Sequence, residues 1–335
     1  MNDVQTLRTL RKRISSMTFV AAGLVAAAGN VQAAEPAWPT KPLRMLTAEL
    51  GGGSDLSARL IATGLSGTIG QQVIVDNRVG ANGIIGMEAI ARAPADGYSI
   101  GMGNIATLTI NPALYPKLPY DSLRDFIPVS LTATIGNCLI VHPSLPVKSV
   151  QELVALAKKR PGELIYASGG VGSAQHIPME LLQAMTGTRL MHIAYKGITP
   201  AFNDVMAGQV LMAVTGIAQS LPYHRNGRLR MLGTTGVKRA QATPDVPTIA
   251  EQGVAGYEAD SWTGVLLPRG TPPEIVAQLQ AEVVRITNLP ETKERLTAAG
   301  FETVGSTSDA FAALIKNDLT RLGKVIRDAN IRADN

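Results

Sequence analysis

The amino-acid sequence predicts an α/β fold with two lobes, and three observations support this. Short apolar runs rich in β-branched residues alternate with longer segments in which apolar residues recur at helical spacing. This alternation predicts parallel sheets with helices on both faces. The pattern restarts near residue 128, and the roughly 300 residues after the N-terminal segment are enough to bury two cores.

The first half of the pattern contains three strands and two helices. A strand at 43–47 leads through a glycine turn to a helix that Ser54 or Asp55 can cap. The remaining elements are strands at 73–75 and 98–102 and a helix at 83–93. This order predicts that the three strands form a parallel sheet.

The second half repeats the pattern over a longer stretch. Strands are predicted at 128–135, 138–141, 164–167, 191–194, 210–214 and 230–234. Helices are predicted at 149–159, 174–186, 199–207 and 219–226, and a helical block follows at 272–287, 290–299 and 308–329. No short internal repeat interrupts this order, so we expect a second sheet rather than a repeat array.

The first 33 residues resemble an export signal. Four basic residues, Arg8, Arg11, Lys12 and Arg13, precede an apolar run at 19–28, which is too short for a membrane-spanning helix of about 20 residues. Small residues at 31–33 then predict cleavage before Ala34. We therefore expect a periplasmic protein that loses residues 1–33 as a signal peptide; the alternative is a retained membrane anchor.

Composition argues against several kinds of function. Residues 1–33 hold four basic residues and one acidic residue, so the rest of the chain carries about +2 of the total +5 and has no basic run to bind nucleic acid. Cys138 is the single cysteine, which excludes an intrachain disulfide, and the four histidines lack metal-ligand spacing. We expect no metal and no cofactor. Aromatic residues are only 4%, which favours a ligand recognised by polar groups and backbone.

Two glycine-rich loops, each between a strand and a helix, are the candidate binding segments. Such loops lie at the carboxyl ends of strands, where open α/β sheets bind ligands. Glycine allows close backbone approach, and a helix start offers free N–H groups to an anion. The candidate residues are Glu49, Gly51, Gly52, Gly53 and Ser54 in the first loop and Ser168, Gly169, Gly172 and Ser173 in the second. Each loop alone is equally compatible with a capped turn, and neither has a nucleotide-binding spacing.

A series of short motifs then resembles the Bug (Bordetella uptake gene) family, the substrate-binding components of tripartite tricarboxylate transporters. In the first half these are 38–44 (WPTKPLR), 51–55 (GGGSD), 75–83 (VDNRVGANG), 95–98 (ADGY), 111–115 (NPALY) and 118–121 (LPYD). In the second half they are 166–169 (YASG), 195–197 (YKG), 244–248 (PDVPT), 253–257 (GVAGY), 261–262 (SW) and 270–272 (GTP). The ordered matches span nearly the whole exported chain.

The resemblance implies a type II periplasmic-binding-protein fold with two lobes joined by two crossing strands around a central ligand cleft. We place the first lobe at 34–134 and 262–335, the second at 135–261, and the crossings near 131–137 and 259–266. The implied function is capture of a small organic carboxylate by lobe closure and delivery to membrane permease subunits. The alternative is a sensor that presents the carboxylate to a membrane receptor kinase. A monomer is the default for such a carrier.

Two positions depart from the family pattern. The first loop of the family usually reads PFPPGG, whereas residues 47–52 read TAELGG. Glu49 either points to solvent or pairs with a base, or it receives a cationic or hydroxyl group of the ligand. Relatives often carry an aspartate at the position of Thr215, where it can meet a ligand amino group. An amino-acid ligand is therefore less expected here, unless Glu49 compensates.

Several further polar residues can either contact the ligand or serve the structure. These candidates are His176 in the first turn of its helix, Tyr195 at a strand end, and Asn104 and Thr107 after the third strand. Ser173 and His176 are the close serine–histidine pair of the candidate loops, and no acid is placed by sequence to orient the histidine. We therefore expect no catalytic residues and a protein that is not an enzyme.

Overall fold

The computed structural model describes residues 38–50 and 53–332. All elements named below belong to the unit Lys41–Asn335. The predicted signal peptide at 1–33 lies outside the described residues. Within them, eleven strands form a six-stranded sheet and a five-stranded sheet. Each sheet and the helices packed on it constitute one lobe.

The first lobe is built on a mixed sheet with the strand order β11-β4-β10-β3-β1-β2. Its strands are β1 (Leu43–Thr47), β2 (Val73–Asn77), β3 (Ser99–Asn104), β4 (Phe126–Ile135), β10 (Ser261–Pro268) and β11 (Phe301–Thr303). The strands β2, β1 and β3 are parallel, because helices connect them as predicted, while β10 runs antiparallel to both β3 and β4. The carboxyl ends of β1 and β3 therefore lie at the same edge of the sheet.

Except for the short α3, the helices of the first lobe lie where the sequence predicts them. They are α1 (Gly53–Ser66), α2 (Ile84–Ala91), α3 (Asn111–Leu114), α8 (Pro273–Thr287), α9 (Pro290–Ala298) and α10 (Ser308–Asp328). A wide helical turn at Ala106–Ile110 leads directly into α3, in a stretch where the sequence predicts no helix. Its β-branched residues are poor helix formers, so the pattern alone does not indicate this turn.

The second lobe contains the sheet β7-β6-β8-β5-β9. Its strands are β5 (Asn137–Val141), β6 (Ile165–Ser168), β7 (Met191–Ala194), β8 (Met212–Gly216) and β9 (Arg230–Thr234). Its helices are α4 (Val150–Lys159), α5 (His176–Thr186), α6 (Ile198–Met206) and α7 (Ile217–Arg225). Ser149 caps α4 by accepting a hydrogen bond from the Glu152 N–H at 3.1 Å, which explains why this helix begins where the sequence predicts.

Two chain crossings join the lobes. The first is the step from β4 to β5 through Gly136, and the second is the segment that enters β10 at Ser261. The half-buried carboxylate of Asp260 links them, because it accepts a hydrogen bond from the Asn137 N–H at 3.3 Å. It also accepts one from the Thr235 hydroxyl, after β9, at 2.5 Å. The expected pair of crossing strands is thus confirmed, whereas the exact residues at which each lobe ends stay a prediction.

The C-terminal helix α10 also contacts both lobes. Phe311 of α10 packs in the first-lobe core together with Ile177 of α5, and Val325 of α10 packs in the second-lobe core. Near the crossing, Trp262 lies edge-on to Phe311 with ring centroids 5.5 Å apart, and its indole N–H donates to Asp318 at 2.8 Å. The long helix therefore adds a third connection across the lobe boundary.

Candidate functional site

Two adjoining cavities lie between the lobes. We call them the first cavity, of about 340 Å³, and the second cavity, of about 550 Å³. Both volumes fall in the range of about 300–1,000 Å³ that is usual for small-molecule sites. Both cavities are lined by Glu49, Asn104 and Ala106, which therefore stand where the two spaces meet.

The first-lobe wall is a hydrogen-bonded group formed at the ends of β1 and β3. Glu49 accepts a hydrogen bond from the Ser54 N–H at 2.9 Å, so its carboxylate binds the start of α1. Asn104 donates to the Ser54 hydroxyl at 3.0 Å and accepts from the Thr107 N–H at 3.0 Å. Thr107 is buried and lines the second cavity only, while Ser54 lines the first. The four predicted residues thus come together around the α1 start.

The glycines of the first loop are only partly described. Gly51 and Gly52 lie outside the described residues, so their predicted role is untested. Gly53 lines the first cavity, and a Cβ at this position would lie 2.7 Å from ring atoms of Phe301. A larger residue at this position would therefore have to displace the Phe301 ring of the short strand β11.

The second glycine loop faces the second cavity. Gly169, Gly172 and Ser173 line it, opposite Asn104 and Thr107 of the first lobe. Ser168 is fully buried beneath the loop, lines neither cavity, and accepts a hydrogen bond from the Gly170 N–H at 3.1 Å. The second-lobe wall of this cavity is therefore formed by loop backbone and the Ser173 hydroxyl, without a charged side chain.

His176 lies behind this loop, in a stack of aromatic rings. Its Nδ1 accepts from the Gly172 N–H at 3.0 Å, and its ring stacks on His192 with centroids 4.0 Å apart. His192 in turn stacks on Tyr166 and hydrogen-bonds the Ser168 hydroxyl at 2.7 Å. Burial, with a contribution from His176, lowers the pKa of His192 to about 4. His192 is therefore held neutral. The two stacked rings support the loop from below, and His176 lines neither cavity.

An acid completes this stack. His176 Nε2 lies 3.6 Å from a Glu180 carboxylate oxygen, which also accepts the Tyr166 hydroxyl hydrogen bond. Burial would raise the pKa of Glu180, but the hydrogen bonds from His176 and Tyr166 outweigh it and hold the pKa below its ordinary value. The histidine thus has an orienting acid that sequence spacing did not reveal, although both groups lie outside the cavities.

The last two predicted residues also lie outside the cavity walls. The Tyr195 hydroxyl donates to Asp204 at 2.6 Å, and Thr215 is fully buried with its hydroxyl bonded to Gln219 at 3.1 Å. Gln219 itself lines the first cavity. Direct ligand contact by Ser168, His176, Tyr195 or Thr215 stays a prediction.

Sequence reasoning missed much of the first cavity. The missed polar lining residues are Asn137, Gln175, Gln219 and Ser261. Gln219 follows strand β8 at a strand-to-helix junction, so the rule that found the glycine loops applies there too, without a glycine-rich signal. Gly300 and Phe301 line the same cavity because β11 pairs with β4, a long-range contact with no local signature.

The electrostatics of the two cavities are simple. Among the described residues that line them, Glu49 is the one charged side chain, and none is lysine, arginine or histidine. Over residues 38–50 and 53–332, no group of three histidine, cysteine, aspartate or glutamate side chains is arranged to hold a metal. Within the same ranges no helix is long and apolar enough to cross a bilayer. The described walls of this cleft therefore present neutral hydrogen-bonding groups, helix starts and one carboxylate.

Comparison with solved structures supports the two-lobe fold. A Rhodopseudomonas palustris protein, Rpa4515, solved with adipate, is 36% identical and aligns with a TM-score of 0.75 over 88% of this chain and 100% of its own. MatC from the same organism, solved with bound malate, is 29% identical, with a TM-score of 0.72 over 86% of this chain and 100% of its own. The fold is therefore that of the periplasmic binding proteins.

Sequence comparison identifies the family. The protein BugT of Bordetella pertussis is 34% identical over 297 residues, which are 88% of this chain and 91% of BugT. Residues 57–331 match the model of the tripartite tricarboxylate transporter family receptor. The chain therefore belongs to the Bug, or tripartite tricarboxylate transporter receptor, family of periplasmic binding proteins.

Proposed function

We propose that this protein is an exported periplasmic carrier that closes its two lobes on a small organic carboxylate and is not an enzyme. The observation that carries the proposal is the pair of cavities between the lobes, lined by polar groups from both. A ligand that contacts both walls favours the closed arrangement by the difference in its affinity for the open and closed states. The adipate and malate bound by two relatives support the ligand class.

The proposed binding residues fall into two sets. On the first lobe they are Glu49, Gly51, Gly52, Gly53, Ser54, Asn104 and Thr107, and on the second Gly169, Gly172 and Ser173, supported by Ser168, His176, Tyr195 and Thr215. The carboxylate is held by backbone N–H groups, neutral side chains and bridging waters, since no described lining residue is basic. We propose lobes at 34–134 with 262–335 and at 135–261, and a monomer.

The proposed partners are the membrane permease subunits of a tripartite transporter, which receive the loaded carrier. Removal of residues 1–33 would release the protein into the periplasm. Uptake of labelled ligand by cells lacking this protein separates transport from sensing. Lost uptake supports delivery to a permease, whereas normal uptake with a lost transcriptional response supports presentation to a receptor kinase.

Binding is tested on the purified exported chain. A thermal-shift screen of mono-, di- and tricarboxylates, followed by calorimetry, should find at least one acid that binds one to one. Asn104→Ala should weaken that binding by up to about tenfold, because it removes a neutral hydrogen bond worth about 0.5–1.5 kcal/mol. Asn203→Ala, at an exposed position on α6, is the matched control and should bind as the parent does. Absence of binding across the screen would refute the proposal.

A further inference from the structure

The single carboxylate in the cleft is unusual for a site that receives an anion. Glu49 lines both cavities and is half-buried. Among the described residues, no lysine, arginine or histidine forms an ion pair with it. A ligand carboxylate placed beside Glu49 would therefore meet a like charge without a compensating cation.

Glu49 is held rigidly in this place. Its carboxylate accepts the Ser54 N–H at 2.9 Å, and its backbone carbonyl accepts from the Asn77 side chain at 2.7 Å. Negative charge at a helix start is favourable, so the carboxylate is stable where it stands. The residue thus occupies the part of the α1 start that could otherwise attract the ligand's own carboxylate.

The opposite wall has the reverse polarity. Helices α6 and α7 begin beside the first cavity, where Ile198 and Gln219 line it, and neither helix has a side-chain cap. The Ile217 N–H at the start of α7 donates to the Gly136 carbonyl at 3.1 Å, so the N–H groups of Ala218 and Gln219 are the ones that α7 offers to the cavity. The first N–H groups of a helix have no acceptor inside the helix and carry partial positive charge. The first cavity therefore has a negative charge on the first-lobe wall, from Glu49, and a partial positive charge at the helix starts of the second-lobe wall.

Thr215 stands where relatives often carry an aspartate, but the lack of that charge does not argue against an ammonium group near Glu49. Thr215 is fully buried, its hydroxyl bonds Gln219, and it lines neither cavity. Its identity therefore says little about which ligand groups the cleft accepts. Glu49 remains the residue that sets the charge of the site.

We propose that Glu49 selects carboxylic acids that also carry an ammonium group, with the ammonium facing Glu49 and the carboxylate facing the starts of α6 and α7. This inference rests on the proposed function and narrows its ligand class. It predicts that an ammonium-bearing acid binds at least tenfold tighter than the corresponding dicarboxylate or unsubstituted acid, a difference of about 1.4 kcal/mol.

The test compares paired ligands by calorimetry on the exported chain. ω-Amino acids are paired with dicarboxylates of the same number of methylene groups, for example 4-aminobutanoate with glutarate. α-Amino acids are paired with the same acids lacking the amino group, for example leucine with 4-methylpentanoate. In the parent protein, at least one ammonium-bearing member should bind tenfold tighter than its partner.

The variant Glu49→Gln keeps an oxygen that can accept the Ser54 N–H but removes the charge. It should abolish the preference and should make dicarboxylates bind more tightly than they do to the parent. Partial unfolding cannot produce such a gain, so the result separates recognition from loss of structure. Glu163→Gln, at an exposed position away from both cavities, is the matched control and should keep the parental preference.

The other outcomes overturn the inference. These are a parental preference for dicarboxylates, a Glu49→Gln variant that binds both series as the parent does, or one that weakens both series equally. In those cases carboxylate binding, and with it the proposed function, would still stand. Failure of every acid in both series to bind would refute the proposed function together with the inference.

Discussion

A methyl group added at Gly172 is expected to weaken ligand binding through a contact between the lobes. Gly172 has a φ of +73°, and a Cβ built on it would overlap Cδ2 of Leu114. Leu114 packs in the first-lobe core, whereas Gly172 belongs to the second-lobe loop. Gly172→Ala therefore combines a backbone cost within one lobe with a steric cost between the two.

The backbone cost and the steric cost of Gly172→Ala can be estimated separately. Left-handed backbone costs a non-glycine residue about 1–2 kcal/mol, and overpacking costs typically about 1–3 kcal/mol. Gly187, at the end of α5, has a φ of +63° and nothing within 4 Å of an added Cβ. Gly187→Ala therefore carries the backbone cost alone, while Gly172→Ala adds about 1–3 kcal/mol against lobe approach, or roughly 5–150-fold in Kd.

Calorimetry with the tightest-binding acid measures Kd, and denaturant unfolding of both variants measures the backbone cost. Both variants should lose folding stability, but only Gly172→Ala should lose affinity. Gly172→Val should bind too weakly to measure while remaining folded, because the larger side chain increases the clash. Equal Kd values for Gly172→Ala and Gly187→Ala would refute the two-loop model of closure.

Three further predictions follow from single contacts. Burial raises the pKa of Asp260 to about 6, so the folded protein favours the protonated carboxyl. The folding stability gained in this way is complete below the unfolded pKa near 3.9 and is lost as the pH rises to about 6. The stability of Asp260→Asn relative to the parent should therefore rise between pH 4 and 6, by at most about 3 kcal/mol in urea unfolding, and a difference independent of pH would contradict this. Trp262→Phe should cost about 1–3 kcal/mol in thermal unfolding, because the buried Asp318 loses its indole donor at 2.8 Å; unchanged stability would show that the bond is dispensable. Tyr195→Phe should change Kd less than twofold in calorimetry, because its hydroxyl bonds Asp204 outside both cavities, and a tenfold loss would instead place Tyr195 in contact with the ligand.

Elements with a clear local period were predictable to within a residue or two. Helix α4 begins after Ser149, and strands β7 and β9 have the predicted bounds. Strand β11, at Phe301–Thr303, was missed because three residues are too few to display a period of two. Its pairing with β4 nevertheless places Phe301 in the wall of the first cavity.

The candidate site was predictable as a region but not as a set of contacts. The glycine loops were located by their position between strand and helix, and Gly53 and Gly172 do line the cavities. The fate of each side chain was not predictable. His176 turns away from the cavities and stacks on His192, sixteen positions along the chain, because β6 and β7 pair in parallel and bring the latter beneath the loop.

Chain order and residue type by themselves determined the alternation of strands and helices, the two lobes, the family and the near absence of positive charge in the binding loops. Those properties depend on neighbours a few positions apart, which the linear order preserves. Only the tertiary structure decided that Glu49 binds the start of α1, that Asp260 ties the two crossings and that Leu114 meets Gly172. Such contacts depend on strand pairing and on helix packing between distant segments, and local spacing carries no information about either.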